Sequence, residues 1–277
     1  MTIRRESGTR QGLASEPLLQ RMVARIVERF HPLQVILFGS HARREAGQHS
    51  DVDLLVVLPE VRDQRDVTRE ILRALRDFPL PKDVVVTTPG ELARRGNLVG
   101  TVLRPALRQG KVLYELRADG LPASGYRHGN PAQMGDDSSD DAERLEETRT
   151  WLDHARLDLR AADGAIGNPA MAPYHACFLA QQAAEKALKA VLVFLQIEYP
   201  YTHDLDALRR LVPRGWRLRQ EHPALGDLTR WAVAGRYPSR RAGPTEADAE
   251  SAVRQARAVV ESVERDLRQH GFEAEQA

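Results

Sequence analysis

The sequence predicts a chain in two parts, a small mixed sheet with helices packed on it followed by an all-helical bundle. Up to residue 116, segments with the apolar spacing of helices alternate with short apolar runs typical of strands. Residues 117–141 are rich in Gly, Pro, Ser and Asp and have no apolar period, which is typical of a linker. Beyond residue 141 the apolar patterns all have helical spacing. We therefore expect an α+β domain over residues 15–116, a linker over 117–141 and a helical bundle over 142–271.

The first domain is expected to open with an amphipathic helix. Ser15 is a capping residue, and the apolar positions of SEPLLQRMVARIVERF recur at helical spacing. Thr88 and Glu91 stand in capping-box register with Pro89 at the first helical position, so another helix begins there. The stretch NLVGTVLRPALRQG is expected to continue as helix with a kink at Pro105. The expected strands are QVILFG, SDVDLLVVLP, KDVVVTT and KVLYE, with the helix QRDVTREILRALRDF between the second and the third.

The second domain is expected to be an antiparallel bundle. In YHACFLAQQAAEKALKAVLVFLQ, Ala and Leu recur at close spacing, which fits either a bundle core or a dimer seam. Glu185, Lys186 and Lys189 are expected on its exposed face or in polar pairs between subunits. The other expected helices are AERLEETRTWLDHARLDLRAAD, DLDALRRLV, ALGDLTRWAVAG and EADAESAVRQARAVVESVERDLRQ.

Composition bounds the class of protein. Of the 277 residues, 42% are hydrophobic and 29% charged, and the formal net charge is +1, so the balance of charge neither implies nor excludes a nucleic-acid partner. A single cysteine, Cys177, excludes an internal disulfide framework. The start is polar and no apolar run is long enough to span a bilayer, so we expect a cytoplasmic protein without a membrane partner.

The chemistry of the first domain is concentrated in the stretch LFGSHARREAGQHSDVDLLVV. Gly39 allows a phosphate close to the backbone, and Ser40 adds a hydroxyl where a short helix, HARREAG, is expected to begin. Asp51 and Asp53 stand at strand spacing, so both side chains leave one face of the strand and offer oxygen ligands to a divalent cation. Asp83, at the start of the next strand, is the candidate third carboxylate, as general base or as activator of the acceptor through metal.

These residues resemble a known family. The spacing of Gly39, Ser40, Asp51 and Asp53, with Asp83 on a later strand, is similar to that of the minimal nucleotidyltransferases of the DNA polymerase β-like superfamily, over roughly residues 15–116. The Asp-x-Asp pair alone would also fit a solvent-facing sheet edge or a turn cap.

The resemblance implies a function and a set of roles. The Gly-Ser turn would hold a nucleoside triphosphate, ATP being the expected donor. Asp51, Asp53 and Asp83 would bind Mg²⁺ for transfer of a nucleoside monophosphate to an unknown acceptor, which could be a protein, an RNA or a small molecule. Arg43 falls where the family often has a basic residue near phosphate, although a solvated helix arginine fits equally well. His41 is assigned no role.

The helical half resembles the HEPN family over roughly residues 142–271, including Arg236, Tyr237 and Pro238. This family often accompanies minimal nucleotidyltransferases. The resemblance implies that the helical domain serves to form a homodimer or to bind a nucleotide or a partner. Many members are ribonucleases through an Arg-x4-6-His motif. Three pairs meet that loose spacing: Arg149 with His154, Arg217 with His222, and Arg265 with His270.

Further residues and readings stay open. His203 and Asp204 precede a helix, where capping is the preferred interpretation over a nucleotide contact. Tyr199, Tyr201 and Tyr237 are candidate acceptor hydroxyls, with ordinary packing the alternative. Two other functions remain: a fused toxin-antitoxin-like module whose helical half acts on RNA, and a nucleotidyltransferase that modifies a small molecule such as an antibiotic.

Overall fold

The computed structural model describes residues 16–47, 50–116, 137–232 and 243–272, with side chains from residue 141 onward in the third range. The chain divides into two compact units. Of the described residues, those up to 97 and from 101 to 116 form the first unit, and those from 137 onward together with 98–100 form the second. An α+β unit is therefore followed by a helical one, as the sequence predicts.

A four-stranded mixed sheet organises the first unit. Its strands are β1 (Gln34–Phe38), β2 (Val52–Val57), β3 (Lys82–Thr87) and β4 (Lys111–Glu115), in the order β3-β2-β1-β4. β1 is antiparallel to both β2 and β4, whereas β2 and β3 are parallel. The first residues of β2 and of β3 therefore lie at the same end of the sheet.

Helices cover both faces of this sheet. α1 (Glu16–Phe30) and α3 (Gln64–Ala74) pack on the face that presents Val52, Leu54 and Val56. α5 (Leu103–Gln109) packs on the opposite face, against Leu55. The helices α2 (Gly39–Arg43) and α4 (Pro89–Arg95) follow β1 and β3 directly. Because side chains alternate along a strand, the face with Leu55 also carries Asp53.

The second unit is built around α7 (Pro173–Phe194). α7 packs between α6 (Asp137–Ala165) and α11 (Glu246–Gln269), and its alanines are completely buried in the core. Small side chains let helix backbones approach closely, so the alanine-rich pattern belongs to the core of this unit. The shorter helices are α8 (Leu205–Leu211), α9 (Arg217–Glu221), α10 (Gly226–Thr229) and a 3-10 turn at Arg230–Ala232.

Three predicted elements differ from the structure. The helix expected over residues 97–110 is broken: Gly100 has a φ of +93°, α5 begins only at Leu103, and Pro105 therefore lies in the first turn of α5, where it causes no kink. α2 begins at Gly39 and ends before Arg44, whose φ of 61° closes the helix earlier than expected. α6 begins at Asp137 rather than at residue 142. Linker residues 117–136 and the Arg236, Tyr237 and Pro238 segment lie outside the described residues.

No helix in the described ranges is both long and apolar enough to span a bilayer.

Candidate active site

Three predicted carboxylates lie at the same end of the sheet. Asp53 of β2 and Asp83 of β3 are direct partners in the parallel register, so their side chains leave the same face side by side. Asp51 precedes β2 by one residue and stands two residues before Asp53. Asp51 and Asp83 are exposed and Asp53 is half-buried. The pairing of β2 with β3 therefore makes neighbours of residues that are thirty positions apart in the sequence.

The glycine turn lies directly against Asp53. Gly39 has a φ of +67°, a left-handed conformation that glycine adopts without steric cost. A Cβ at this position would stand 1.9 Å from Oδ2 of Asp53, far inside van der Waals contact. Backbone conformation and space both demand glycine here, and they bring the Gly39–Ser40 turn next to the carboxylates.

The charges of the site act on one another. Partial burial raises the pKa of Asp53, and the neighbouring carboxylates of Asp83 and then Asp51 raise it further. Nearby His41 and Arg43 act in the opposite direction on the pKa of Asp53, and their effect is weaker than this repulsion. A cation placed among the three carboxylates would relieve the repulsion.

The donor set fits a hard divalent cation in chemistry, because it consists of carboxylate oxygens on neighbouring strands. In the conformation described, however, no three His, Cys, Asp or Glu side chains within the described ranges stand close enough to form a ready-made metal site. The three aspartates are thus electrostatic neighbours that would have to draw together around an ion.

Two basic residues of α2 flank the site in different ways. Arg43 is exposed, and its Nε donates to Glu45 at 2.8 Å. His41 is 5% exposed, and its Nε2 lies 3.1 Å from the carbonyl oxygen of Ser50, the residue before Asp51. Sequence reasoning gave His41 no role, because a helix of five residues is too short for apolar periodicity to show which side chains are buried.

In the helical unit, the Arg265 and His270 pair takes part in packing. Arg265 donates to Glu221 at 2.9 Å. The imidazole of His270 stacks on Trp216 with ring centroids 4.2 Å apart and an interplanar angle of 9°. Nδ1 of His270 lies 2.8 Å from the carbonyl oxygen of Asp266.

Asp266, the polar residue that follows Arg265, caps α9. It is 1% exposed and accepts backbone hydrogen bonds from Arg217 at 3.2 Å and from Leu218 at 2.8 Å. The carboxylate that follows Arg265 therefore satisfies the N-terminus of a neighbouring helix.

In each of the other two Arg-His pairs, one residue is partly buried and the other is exposed. The guanidinium of Arg149 lies 5.9 Å from the ring centroid of Phe272, while His154 is exposed. Burial lowers the pKa of His222, at the end of α9. None of these observations favours catalysis by either pair.

Glu185 is the centre of a buried polar network, so its expected place on an exposed face of α7 is wrong. It is 4% exposed and accepts from Nζ of Lys189 at 2.7 Å and from Nε2 of Gln181 at 2.9 Å, while Nδ1 of His203 lies 3.0 Å away. Burial alone would raise the pKa of Glu185, but the hydrogen bonds and the charge of Lys189 lower it overall. Lys186 pairs with Asp158 of α6.

The loop before α8 explains the other residues singled out in the sequence. Asp204 accepts from the backbone N–H groups of Asp206 at 2.9 Å and Ala207 at 3.1 Å, which confirms the capping interpretation. Tyr199 is largely enclosed, and burial raises the pKa of its hydroxyl. Tyr201 is 97% exposed. Tyr237 lies outside the described residues.

Comparison with protein families agrees with this division. The chain matches the nucleotidyltransferase domain family over residues 19–103 and the HEPN domain family over residues 148–266. The chain therefore contains a nucleotidyltransferase domain, which makes it a nucleotidyltransferase, followed by a HEPN domain. No curated protein matches the chain at a significant level.

Three solved structures show partial likeness. TT1696 from Thermus thermophilus is 32% identical over 43% of this chain and 98% of its own, with a TM-score of 0.37. ST0689, an archaeal HEPN homologue, is 27% identical over 43% of this chain and 95% of its own, with a TM-score of 0.34. The CdnE cyclic dinucleotide synthase of Elizabethkingia meningoseptica, solved with GTP and Apcpp, is 12% identical over 94% of this chain and 93% of its own, with a TM-score of 0.25. At these TM-scores, none of the three supports a conclusion about activity.

Proposed function

We propose that this nucleotidyltransferase is Mg²⁺-dependent and transfers AMP from ATP to an acceptor hydroxyl. The proposal is supported by the placement of Asp51, Asp53 and Asp83 at one end of the sheet beside the Gly39 turn. Asp53 and Asp83 are register partners, and a Cβ on Gly39 would collide with Asp53. A phosphate-binding turn and oxygen ligands for a divalent cation are then adjacent, as transfer of a nucleotidyl group requires.

Each residue has a part in the proposed reaction. The Gly39–Ser40 turn holds the triphosphate with its backbone N–H groups and the serine hydroxyl. Asp51, Asp53 and Asp83 would hold Mg²⁺, which when bound supplies positive charge against the phosphates. Asp83 is exposed and so can accept the proton of the acceptor hydroxyl. Arg43 adds positive potential while it is paired with Glu45.

The bonds and charges of the step balance. The acceptor oxygen forms a bond to the α-phosphorus of ATP, the bond from that phosphorus to the bridging oxygen breaks, and pyrophosphate leaves with the electron pair. The proton of the acceptor hydroxyl passes to Asp83 and from there to water. The acceptor itself is left open by the proposal.

The test uses ATP labelled at the α-phosphate, Mg²⁺, and a panel of proteins, RNAs and aminoglycosides as acceptors. We expect Asp53→Asn to lower label transfer by at least about a hundredfold, because it removes one of the negative charges that would hold Mg²⁺ in the reacting complex. Asp66→Asn is the matched control, since Asp66 is an exposed aspartate on α3, which packs on the opposite face of the sheet. Equal label transfer by wild type and Asp53→Asn would refute the proposal.

We also propose that the chain forms a homodimer through its HEPN unit. The alanine face of α7 is not available for this contact, because it is buried within the protomer. Leu157 of α6, which is 52% exposed, is an apolar side chain on the surface that could take part. Light scattering on the full chain at micromolar concentration should give twice the monomer mass of 31.0 kDa, and a monomer mass would refute dimerisation.

A further inference from the structure

His41 is an unusual residue for its place. It is the only buried titratable side chain that the structure describes in the first unit, at 5% exposure. It lies on α2, between the Gly39–Ser40 turn and the strand that carries the aspartates. Burying an imidazole is costly unless its nitrogens are hydrogen-bonded, so its contacts indicate what it does.

The imidazole of His41 connects α2 to the last residues of the loop between α2 and β2. Nε2 of His41 lies 3.1 Å from the carbonyl oxygen of Ser50, and because a carbonyl only accepts, Nε2 carries the hydrogen. Ser50 otherwise bonds within its own loop: its N–H donates to the carbonyl of Gly47 at 3.3 Å, and its hydroxyl accepts from the N–H of Gly47 at 2.9 Å. The next residue after Ser50 is Asp51.

The aspartates thus have supports on two sides. On one side, the carbonyl of Pro81, the residue before β3, accepts from the N–H of Val52 at 3.0 Å. From α2, His41 holds the carbonyl of Ser50. The chain at Asp51 is fixed between these two bonds, while Gly39 closes against Asp53.

We infer that His41 is a positioning residue that joins the glycine turn to the metal-binding aspartates and sets their relative placement. The inference deepens the proposed function and rests on it for its catalytic consequence. His41 does not touch the reacting atoms; it acts through the backbone of Ser50 and Asp51. Small displacements of such groups lower catalysis strongly.

The experiment compares His41→Gln with His41→Met in the full-length chain. The two side chains have nearly the same length and volume, but only glutamine offers an N–H that can reach the carbonyl of Ser50. Three quantities are measured: amide hydrogen exchange in peptides covering residues 50–56, Mn²⁺ affinity by electron paramagnetic resonance, and AMP transfer from labelled ATP.

We expect His41→Gln to behave like wild type in all three measurements. In His41→Met, amides of residues 50–53 should exchange faster, Mn²⁺ affinity should fall on the order of tenfold, as for other losses of an outer-shell partner, and kcat should fall with little change in the KM for ATP. Rescue by glutamine is the result that a role in packing alone would not produce.

Two outcomes would overturn the inference: His41→Met identical to wild type in exchange and Mn²⁺ affinity, or His41→Gln as impaired as His41→Met. Failure of the proposed function looks different. In that case the wild type itself would show neither Mn²⁺ binding nor transfer, and the exchange rates of the two variants would still decide whether His41 holds the loop.

Discussion

At position 39, both the backbone conformation and the space beside it require glycine. Its φ of +67° costs a residue with a side chain about 1–3 kcal/mol, and an added Cβ would meet Oδ2 of Asp53 at 1.9 Å. The neighbouring carboxylate cannot remain in place if the position gains a methyl group. The residue therefore affects both the stability of the first unit and the site.

Gly39→Ala is expected to lower the free energy of unfolding of the first unit by about 1–3 kcal/mol and to abolish AMP transfer, since Asp53 has to move. Far-UV circular dichroism during urea unfolding and the labelled-ATP assay measure the two effects. Gly90→Ala is the control: a Cβ at Gly90 has no neighbour closer than 3.6 Å, so its stability and activity should stay at wild-type values. Wild-type transfer by Gly39→Ala would contradict the account.

In the HEPN unit, Glu185 is the single residue on which stability is expected to depend most. Its carboxylate is buried and satisfied by Lys189 and Gln181, with His203 beside it. These contacts lower the pKa of Glu185 in the folded state below its ordinary value of 4.5. They therefore stabilise the folded state at pH values above 4.5, and this stabilisation is lost as the pH falls through the lower pKa of the folded state.

Glu185→Gln should therefore destabilise the HEPN unit by about 3–5 kcal/mol near pH 7, because it leaves the Lys189 ammonium without its charge partner. The gap from wild type should shrink as the pH is lowered below about 4.5, since protonated Glu185 then resembles glutamine. All three tryptophans, at positions 151, 216 and 231, lie in this unit, so their fluorescence during urea unfolding reports on it alone. Exposed Glu261→Gln should show no such gap, and a gap for Glu185→Gln that does not change with pH would refute this explanation.

Among the elements, α9 depends on a cap from a distant part of the chain. A helix of five residues has little stability of its own. Asp266 of α11 accepts two of its first backbone N–H groups inside the core. This contact holds α9 in a fixed position next to α11.

Asp266→Ala should lower the urea midpoint of the tryptophan transition by the equivalent of about 1–3 kcal/mol, because it leaves two buried donors unsatisfied. Asp266→Asn keeps one acceptor oxygen and should lose less. Asp204→Ala removes the exposed cap of α8 and should lose about 1 kcal/mol. A smaller loss for Asp266→Ala than for Asp204→Ala would show that burial of the cap does not matter.

For the whole molecule, the structure moves the start of the helical unit to Asp137. The first turns of α6 contain Asp141, which pairs with Arg144 at 2.9 Å, and Arg144 donates to the carbonyl of Phe194 at 2.7 Å. A fragment that begins at residue 142 lacks that ion pair and part of the first turn.

A fragment of residues 137–277 is expected to unfold cooperatively by tryptophan fluorescence, because the helical unit has its own buried core. A fragment of residues 142–277 should unfold at lower urea concentration. Equal midpoints would mean that residues 137–141 contribute nothing, and a fragment 137–277 without a cooperative transition would show that the unit does not fold by itself.

The amino-acid sequence by itself determined the four strands and the longer helices in order, the division between a mixed α/β part and a helical part, and the spacing of Gly39, Ser40, Asp51 and Asp53. It did not predict α9. These features depend on local patterns of apolar residues and on residues close together in the chain. The same local patterns could not show the break at Gly100, where the backbone leaves the helix at positive φ.

Only the tertiary structure decided that β2 and β3 pair in the register that sets Asp53 beside Asp83, and that the backbone of Gly39 closes on Asp53. It also buried His41 and Glu185, which the sequence had given no role or placed on a surface. Strand register and the burial of single polar side chains depend on residues far apart in the chain, so their energies arise only when the whole unit has folded.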